Sequence, residues 1–199
     1  MADESTTIPD EQLDEDEERE ERLDPEVAAR RKAALRFVRQ WGDPVLKSRA
    51  REIDRFDDEL RTQIATMGHL MEDALGIGLA ATQVGKLQRV VVYRVEPDSP
   101  VNAVVNPVIE WSGSELETME EGCLSLQGVL VDVERPVHVR VRASDEHGAP
   151  ITIEASGLEA RVLQHEIDHL DGVLILDRTS RDQRKAALRA LREAAEQAA

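Results

Sequence analysis

The pentad His165-Glu166-Ile167-Asp168-His169 limits what this chain can fold into more than any other feature. Histidines at i and i+4 on a helix project from one face, near enough to hold a single metal ion. The intervening Glu166 then sits where it can hold a proton from bound water. Leu158, Val162, His165 and His169 fall at i, i+4, i+7 and i+11, so the histidines continue an apolar stripe. Two core histidines flanking a carboxylate would need several buried partners if they bound nothing. The spacing therefore predicts a buried helix over 157–170, opened by the capping box Ser156-x-x-Glu159 and ended by Gly172.

The rest of the chain must supply a core around that helix. Its 199 residues suit one domain with an appendage. Residues 1–30 hold 13 acids and 3 bases, a net −10 out of −16 for the whole chain. The run Asp14-Glu15-Asp16-Glu17-Glu18 has nothing to bury and predicts a disordered acidic extension over 1–30, with a catalytic domain over 31–199. The acidic surplus argues against a general nucleic-acid or membrane-surface binder, since both need a positive field. No apolar run approaches the ~18–20 residues that span a bilayer. The N-terminus lacks a basic segment followed by an apolar one, so a cytoplasmic location is expected.

Asp24-Pro25 reads as an N-cap followed by proline at the first helical position, opening a basic helix that ends near Gly42. A second helix is expected over 57–74, with Leu60, Ile64, Met67, Met71 and Ala74 on one stripe. Short β-branched runs follow at 89–95, 101–105, 129–133, 137–143 and 151–155. Asn106-Pro107, Glu134-Arg135-Pro136 and His147-Gly148-Ala149-Pro150 read as turns between them. Ser180-x-x-Gln183 opens a last helix over 181–197. Helices, then strands, then helices predict an α+β fold: short, mainly antiparallel strands around a central H-E-x-x-H helix, with N-terminal helices and a C-terminal helix.

A zinc protease of the form H-E-x-x-H-x-x-G-x-x-H would need histidine at 175, where this chain has Ile175. Glu193 and Glu196 lie on what reads as a surface helix, so the third ligand is expected upstream. Cys123 is the single cysteine, in Glu121-Gly122-Cys123-Leu124-Ser125. It can form no internal disulfide, and Cys-His-His leaves a fourth position open, the condition for a catalytic site. The donor set suits zinc or iron. The segment Gly76-Ile77-Gly78-Leu79-Ala80-Ala81-Thr82-Gln83 is rich in small residues and offers an amide at Gln83. Alone it is a packing turn, lacking G-K-[ST] and preceding a strand rather than a helix.

Together the three segments resemble the peptide deformylases, whose motifs G-Φ-G-Φ-A-A-x-Q, E-G-C-Φ-S and H-E-Φ-D-H (Φ apolar) occur here complete and in order. Gly42-Asp43-Pro44-Val45-Leu46 also resembles the start of such enzymes, and the likeness spans about 37–192. The resemblance implies Cys123, His165 and His169 as metal ligands and Fe2+ as the metal, with Zn2+ or Ni2+ able to substitute. It implies Glu166 as the catalytic glutamate, Gln83 and the Leu124 N–H as donors to the reacting oxygen, and Gly78 as a backbone contact to the substrate. The implied reaction removes the formyl group from the formylmethionine of newly synthesised proteins. Ile77, Leu124 and Val162 could line an apolar pocket for methionine, and the peptide would add as a strand along Ile77-Gly78.

Two positions depart from the pattern: Gln127 stands where many deformylases have proline, and Leu130 where some carry a basic residue. The last helix carries Arg181, Lys185, Arg189 and Arg192 at i, i+4, i+8 and i+11. The resemblance implies docking on the ribosome through that helix, while a solvated basic face is the plainer reading. Two other functional readings remain open at this point. One is a metalloprotease or other metal hydrolase with a different third ligand. The other is a non-catalytic relative, which would have no use for Glu166 and Gln83.

Overall fold

The computed structural model describes residues 23–197, so most of the acidic extension lies outside it. In chain order its helices are α1 (Pro25–Leu35), α2 (Asp58–Asp73), α3 (Gly157–Leu170) and α4 (Arg181–Gln197). Its strands are β1 (Gly78–Ala80), β2 (Val90–Tyr93), β3 (Asn102–Ser112), β4 (Leu116–Gly122), β5 (Leu130–Pro136), β6 (His138–Ser144) and β7 (Pro150–Ser156). Five strands form an antiparallel sheet in the order β1-β2-β3-β6-β7, and β4 and β5 form a separate ribbon. This is the expected α+β arrangement.

Alternation along β2 explains how one sheet serves two helices. Val91 and Tyr93 face the cluster that holds Ala160, Leu163, Ile167 and Leu170 of α3. Val90 and Val92 face the other way, against Leu60, Ile64, Met67 and Met71 of α2. A strand covered on both faces has no polar side, hence the unbroken Val-Val-Val-Tyr run. The third cluster joins Val131 and Val133 of β5 to Leu174, Ile175, Leu176 and Ala187, closing α4 over the ribbon. The α3 helix is thus held between the sheet and the ribbon.

Several local expectations are corrected. The first helix stops at Leu35 rather than near Gly42, and residues 25–30 of the predicted extension belong to it. Asn106-Pro107 is not a turn but a bulge inside β3, where the register with β6 shifts. Asn106 adopts a φ of 54° there, and its amide accepts from the Ile53 N–H and donates to the Ile53 carbonyl, both at 2.8 Å. Those two bonds offset the left-handed backbone. Glu134-Arg135-Pro136 continues β5, with Arg135 buried. The capping box at Ser156 is not made; Glu159 instead accepts from the Tyr93 hydroxyl at 3.0 Å. Leu158 does not join the core stripe, being 47% exposed at the cleft described below.

Candidate metal centre and active site

Three separate elements meet on one face of α3. His165 and His169 stand one turn apart with ring centroids 5.0 Å from each other. Cys123 directly follows β4, where the chain turns back so that the Leu126 N–H donates to the Cys123 carbonyl at 2.9 Å. The donor atoms of Cys123, His165 and His169 all lie within 4.8 Å of one another, and Cys123 Sγ is 3.2 Å from His169 Nε2. A thiolate and two imidazoles at that separation fit a single tetrahedral metal with one position left over. The thiol falls inside this group of three side chains that could hold a metal, whereas the protease reading would leave it idle.

Gln83 approaches from the short 3-10 turn after β1. Its Oε1 accepts from the Ala80 N–H at 2.9 Å, and this donor fixes the orientation of the amide. The NH2 group therefore faces the site, 3.2 Å from Ser125 Oγ and 3.7 Å from Cys123 Sγ.

Glu166 is buried beneath the segment at Gly78, and its Oε2 has no hydrogen-bond partner among the described residues. Burial pushes its carboxyl up to about 7, against the pull of His165 and Arg135. A carboxylate so placed can both accept and return a proton near neutral pH. A Cβ built on Gly78 would stand 2.4 Å from Glu166 Oε1, so only glycine lets β1 pass this close.

The charges around these candidate ligands are the part that the sequence reading did not assign. Glu121, 6% exposed, faces His165 Nδ1 at 3.0 Å. Burial alone would raise its carboxyl, but hydrogen bonds from His165 and Arg135 bring it down to about 2. Arg135 grips Glu121 with two bonds of 2.6 and 3.0 Å and reaches Asp168 of the pentad at 2.9 Å. Arg161 adds a bond to Glu121 at 2.7 Å, and Arg178 holds Asp168 at 2.6 Å. A carboxylate on the far nitrogen of a ligating histidine fixes the tautomer and the ring orientation. At His165 burial opposes the charged ring, yet bonds with Cys123 and Glu121 hold its pKa well above the ordinary value. At His169 burial and the neighbouring ring act together and hold it well below.

A cleft of about 420 Å3 opens over these groups. Val162 and Leu124 line it, with half-exposed Ile77 at its rim, beside Gly78, Gln83, His165 and Glu166. The two departures also map here: Leu130 lines the cleft, and Gln127 donates to Gln40 Oε1 at 2.9 Å. The basic arc of α4 lies elsewhere. Ala187, Leu188 and Leu191 pack with the ribbon, leaving Arg181, Lys185, Arg189 and Arg192 exposed.

The chain is similar to known proteins in both sequence and fold. A family model described as Polypeptide deformylase matches residues 35–185. The peptide deformylase of Parafrankia sp. (strain EAN1pec) is 43% identical over 161 residues, 81% of this chain and 87% of that one. Peptide deformylase 1 of Corynebacterium efficiens is 49% identical over 160 residues, 79% of this chain and 95% of its own length. Among solved structures, a peptide deformylase from Synechococcus elongatus in complex with actinonin superposes with a TM-score of 0.73 at 42% identity. It covers 77% of this chain and 86% of that one. The Legionella pneumophila peptide deformylase gives 0.75 at 38% identity, covering 80% and 94%.

Proposed function

The chain belongs to the polypeptide deformylase family, and on that premise we propose how its own residues remove the formyl group from formylmethionyl nascent peptides. The observation that carries the proposal is the placement of Glu166, buried against Gly78 and beside the Cys123-His165-His169 group. Those three side chains would hold the metal, which supplies a Lewis acid and lowers the pKa of water to about 7. We assign Fe2+ to the site, with Zn2+ or Ni2+ as substitutes.

Glu166 takes a proton from the attacking water and returns one to the departing amine nitrogen, so that formate and a free methionyl N-terminus result. Gln83 Nε2 and the Leu124 N–H donate to the formyl oxygen as negative charge builds on it. Methionine packs against Ile77, Leu124 and Val162, a burial worth roughly 1.5–3 kcal/mol. The peptide backbone adds along the Ile77-Gly78 edge; β1 is the outer strand of its sheet, which supports this. Backbone pairing binds any sequence, as a processing enzyme requires.

The exposed arc of Arg181, Lys185, Arg189 and Arg192 is assigned to docking on the ribosome, its positive charge contrasting with an acidic protein. Such work belongs in the cytoplasm; among the described residues no helix is long and apolar enough to cross a membrane. The acidic extension stands apart from the catalytic domain in this reading, and its first 22 residues lie outside the described ones.

The deciding experiment measures formate released from a formylmethionyl peptide by protein loaded with Fe2+ under anaerobic conditions. Release that vanishes with Glu166→Ala, metal content unchanged, is expected. No release from the metal-loaded wild type would overturn the assignment.

A further inference from the structure

Two consecutive turns follow β4 and carry Cys123 and Leu124 into the site. The Leu126 N–H donates to the Cys123 carbonyl at 2.9 Å and closes the first; the Val129 N–H donates to the Leu126 carbonyl at 3.1 Å and closes the second. In the second turn Gly128 has a φ of 72°, the left-handed third place of a type II turn. Gln127 takes the second place, where proline is favoured because its ring presets φ. The Gln127 N–H makes no hydrogen bond among the described residues, so proline there would forfeit none. The chain nevertheless has glutamine, one of its two departures from the deformylase pattern.

The exposed Gln127 side chain reaches back to the segment after α1. Its Nε2 donates to Gln40 Oε1 at 2.9 Å. Gln40 is half-buried, and its own Nε2 donates to the Leu124 carbonyl at 3.2 Å and to the Val38 carbonyl at 3.1 Å. Carbonyls only accept, so the Gln40 amide has one orientation and Gln127 must be the donor to it. Val38 is buried and gives this amide a fixed base. The residues on either side of Gln40 bind the same region. The Arg39 N–H donates to the Gln83 carbonyl at 2.7 Å, and the Trp41 N–H to the Ser125 carbonyl at 2.9 Å. Residues 39–41 thus hold the backbone of both segments that carry the donors assigned to the formyl oxygen.

Resting on the deformylase reading, and on the Leu124 N–H as one of those donors, we propose that Gln40 is a positioning residue for Leu124 and that Gln127 braces it. The side-chain bond does for this loop what a proline does through its ring. The N–H and carbonyl of Leu124 flank one Cα, so only its φ and ψ separate them. A carbonyl held in place therefore limits how far the N–H can swing from the reacting oxygen. That donor matters most when charge develops on the oxygen, so the effect belongs in kcat rather than KM.

The test follows formate release from formyl-Met-Ala-Ser-amide by Fe2+-loaded protein, with metal content and Tm measured for every variant. Losing a hydrogen bond of this kind shifts the balance between loop positions by about two- to ten-fold. Gln40→Leu and Gln127→Ala are each expected to lower kcat within that range and to leave KM near the wild-type value. Gln127→Ala added to Gln40→Leu should lower kcat no further, because the brace acts only through Gln40. Gln127→Pro added to Gln40→Leu should instead return most of the lost kcat. Unchanged kcat in Gln40→Leu, a loss confined to Tm or metal content, or a loss that Gln127→Pro does not recover overturns the proposal. Absence of formate with the metal-loaded wild type overturns the deformylase reading itself.

Discussion

Glu166 lies so close under Gly78 that a Cβ on residue 78 would stand 2.4 Å from its Oε1 and 2.9 Å from its Cδ and Cγ. Turning the carboxylate alone cannot relieve that overlap, because the stem of the side chain collides too. Gly78→Ala must therefore displace Glu166 or push β1 outward. Overpacking of this kind costs about 1–3 kcal/mol of stability, while a shift of ~1 Å at a reacting group costs about 100-fold in rate. The expected result is a folded protein with a modestly lower Tm and a kcat for formate release down by about two orders of magnitude. Unchanged kcat would mean that Glu166 works from another position.

The Glu121 carboxylate is the hub of a buried network joining His165, Arg135 and Arg161. Glu121→Gln keeps the shape but removes the charge that both guanidiniums face. Breaking a buried ion pair from one side costs about 3–5 kcal/mol. Loss of the partner on a ligating histidine lowers metal affinity by about 10–100-fold. Urea unfolding should report the first effect and a competitive chelator titration the second. A variant altered in stability alone would make Glu121 purely structural.

How far the sequence revealed this architecture depended on whether burial left a period to read. Helix α2 and the pentad helix were legible because Leu60, Ile64, Met67 and Met71, like Val162 and His169, face inward at helical spacing. Strand β4 was not, since Glu121 is its one buried residue and no alternation survives. Strand β1 is three small or apolar residues, buried throughout, and carries no period at all. Within the site, Cys123, His165, His169, Glu166 and Gln83 were legible as chemical groups in motifs. Arg135, Arg161 and Asp168 were not, because a charged residue in sequence reads as surface until something shows it buried. Arg135 in particular sits beside Pro136 and so looked like part of a turn.

Acid should weaken one tie between the N-terminal and C-terminal parts of the domain. Asp177 accepts from the Lys47 ammonium and from the Leu174 N–H, and lies 3.4 Å from Arg184. Burial raises its carboxyl, but the bonds to Lys47 and Leu174 prevail and hold it below the ordinary value of 3.8. The unfolded chain therefore takes up this proton first as pH falls. The contribution is complete above the ordinary value and is lost as pH drops through the folded one. Asp177→Asn should cost on the order of 1 kcal/mol at neutral pH and have a progressively smaller effect below pH ~4. Denaturant unfolding of both proteins across that range gives the comparison; parallel curves would contradict it.

In the proposed reaction, Gln83 would serve the fold and the chemistry with different ends of one amide. Its Oε1 satisfies the buried Ala80 N–H, while its Nε2 faces the Cys123 and Ser125 side of the site. The two functions separate by substitution. Gln83→Glu keeps an acceptor for the Ala80 N–H and deletes the donor, whereas Gln83→Leu deletes both. Losing one donor to a developing oxyanion costs about 3–4 kcal/mol of barrier, or 10²–10³ in kcat. Leaving the Ala80 N–H buried and unpaired costs a further ~1–3 kcal/mol, paid in stability. Both variants should therefore lose kcat to a similar degree, but only Gln83→Leu should also show a marked fall in Tm. If Gln83→Glu kept full kcat for formate release, donation to the formyl oxygen would have to come from another group, with the Leu124 N–H the first to examine.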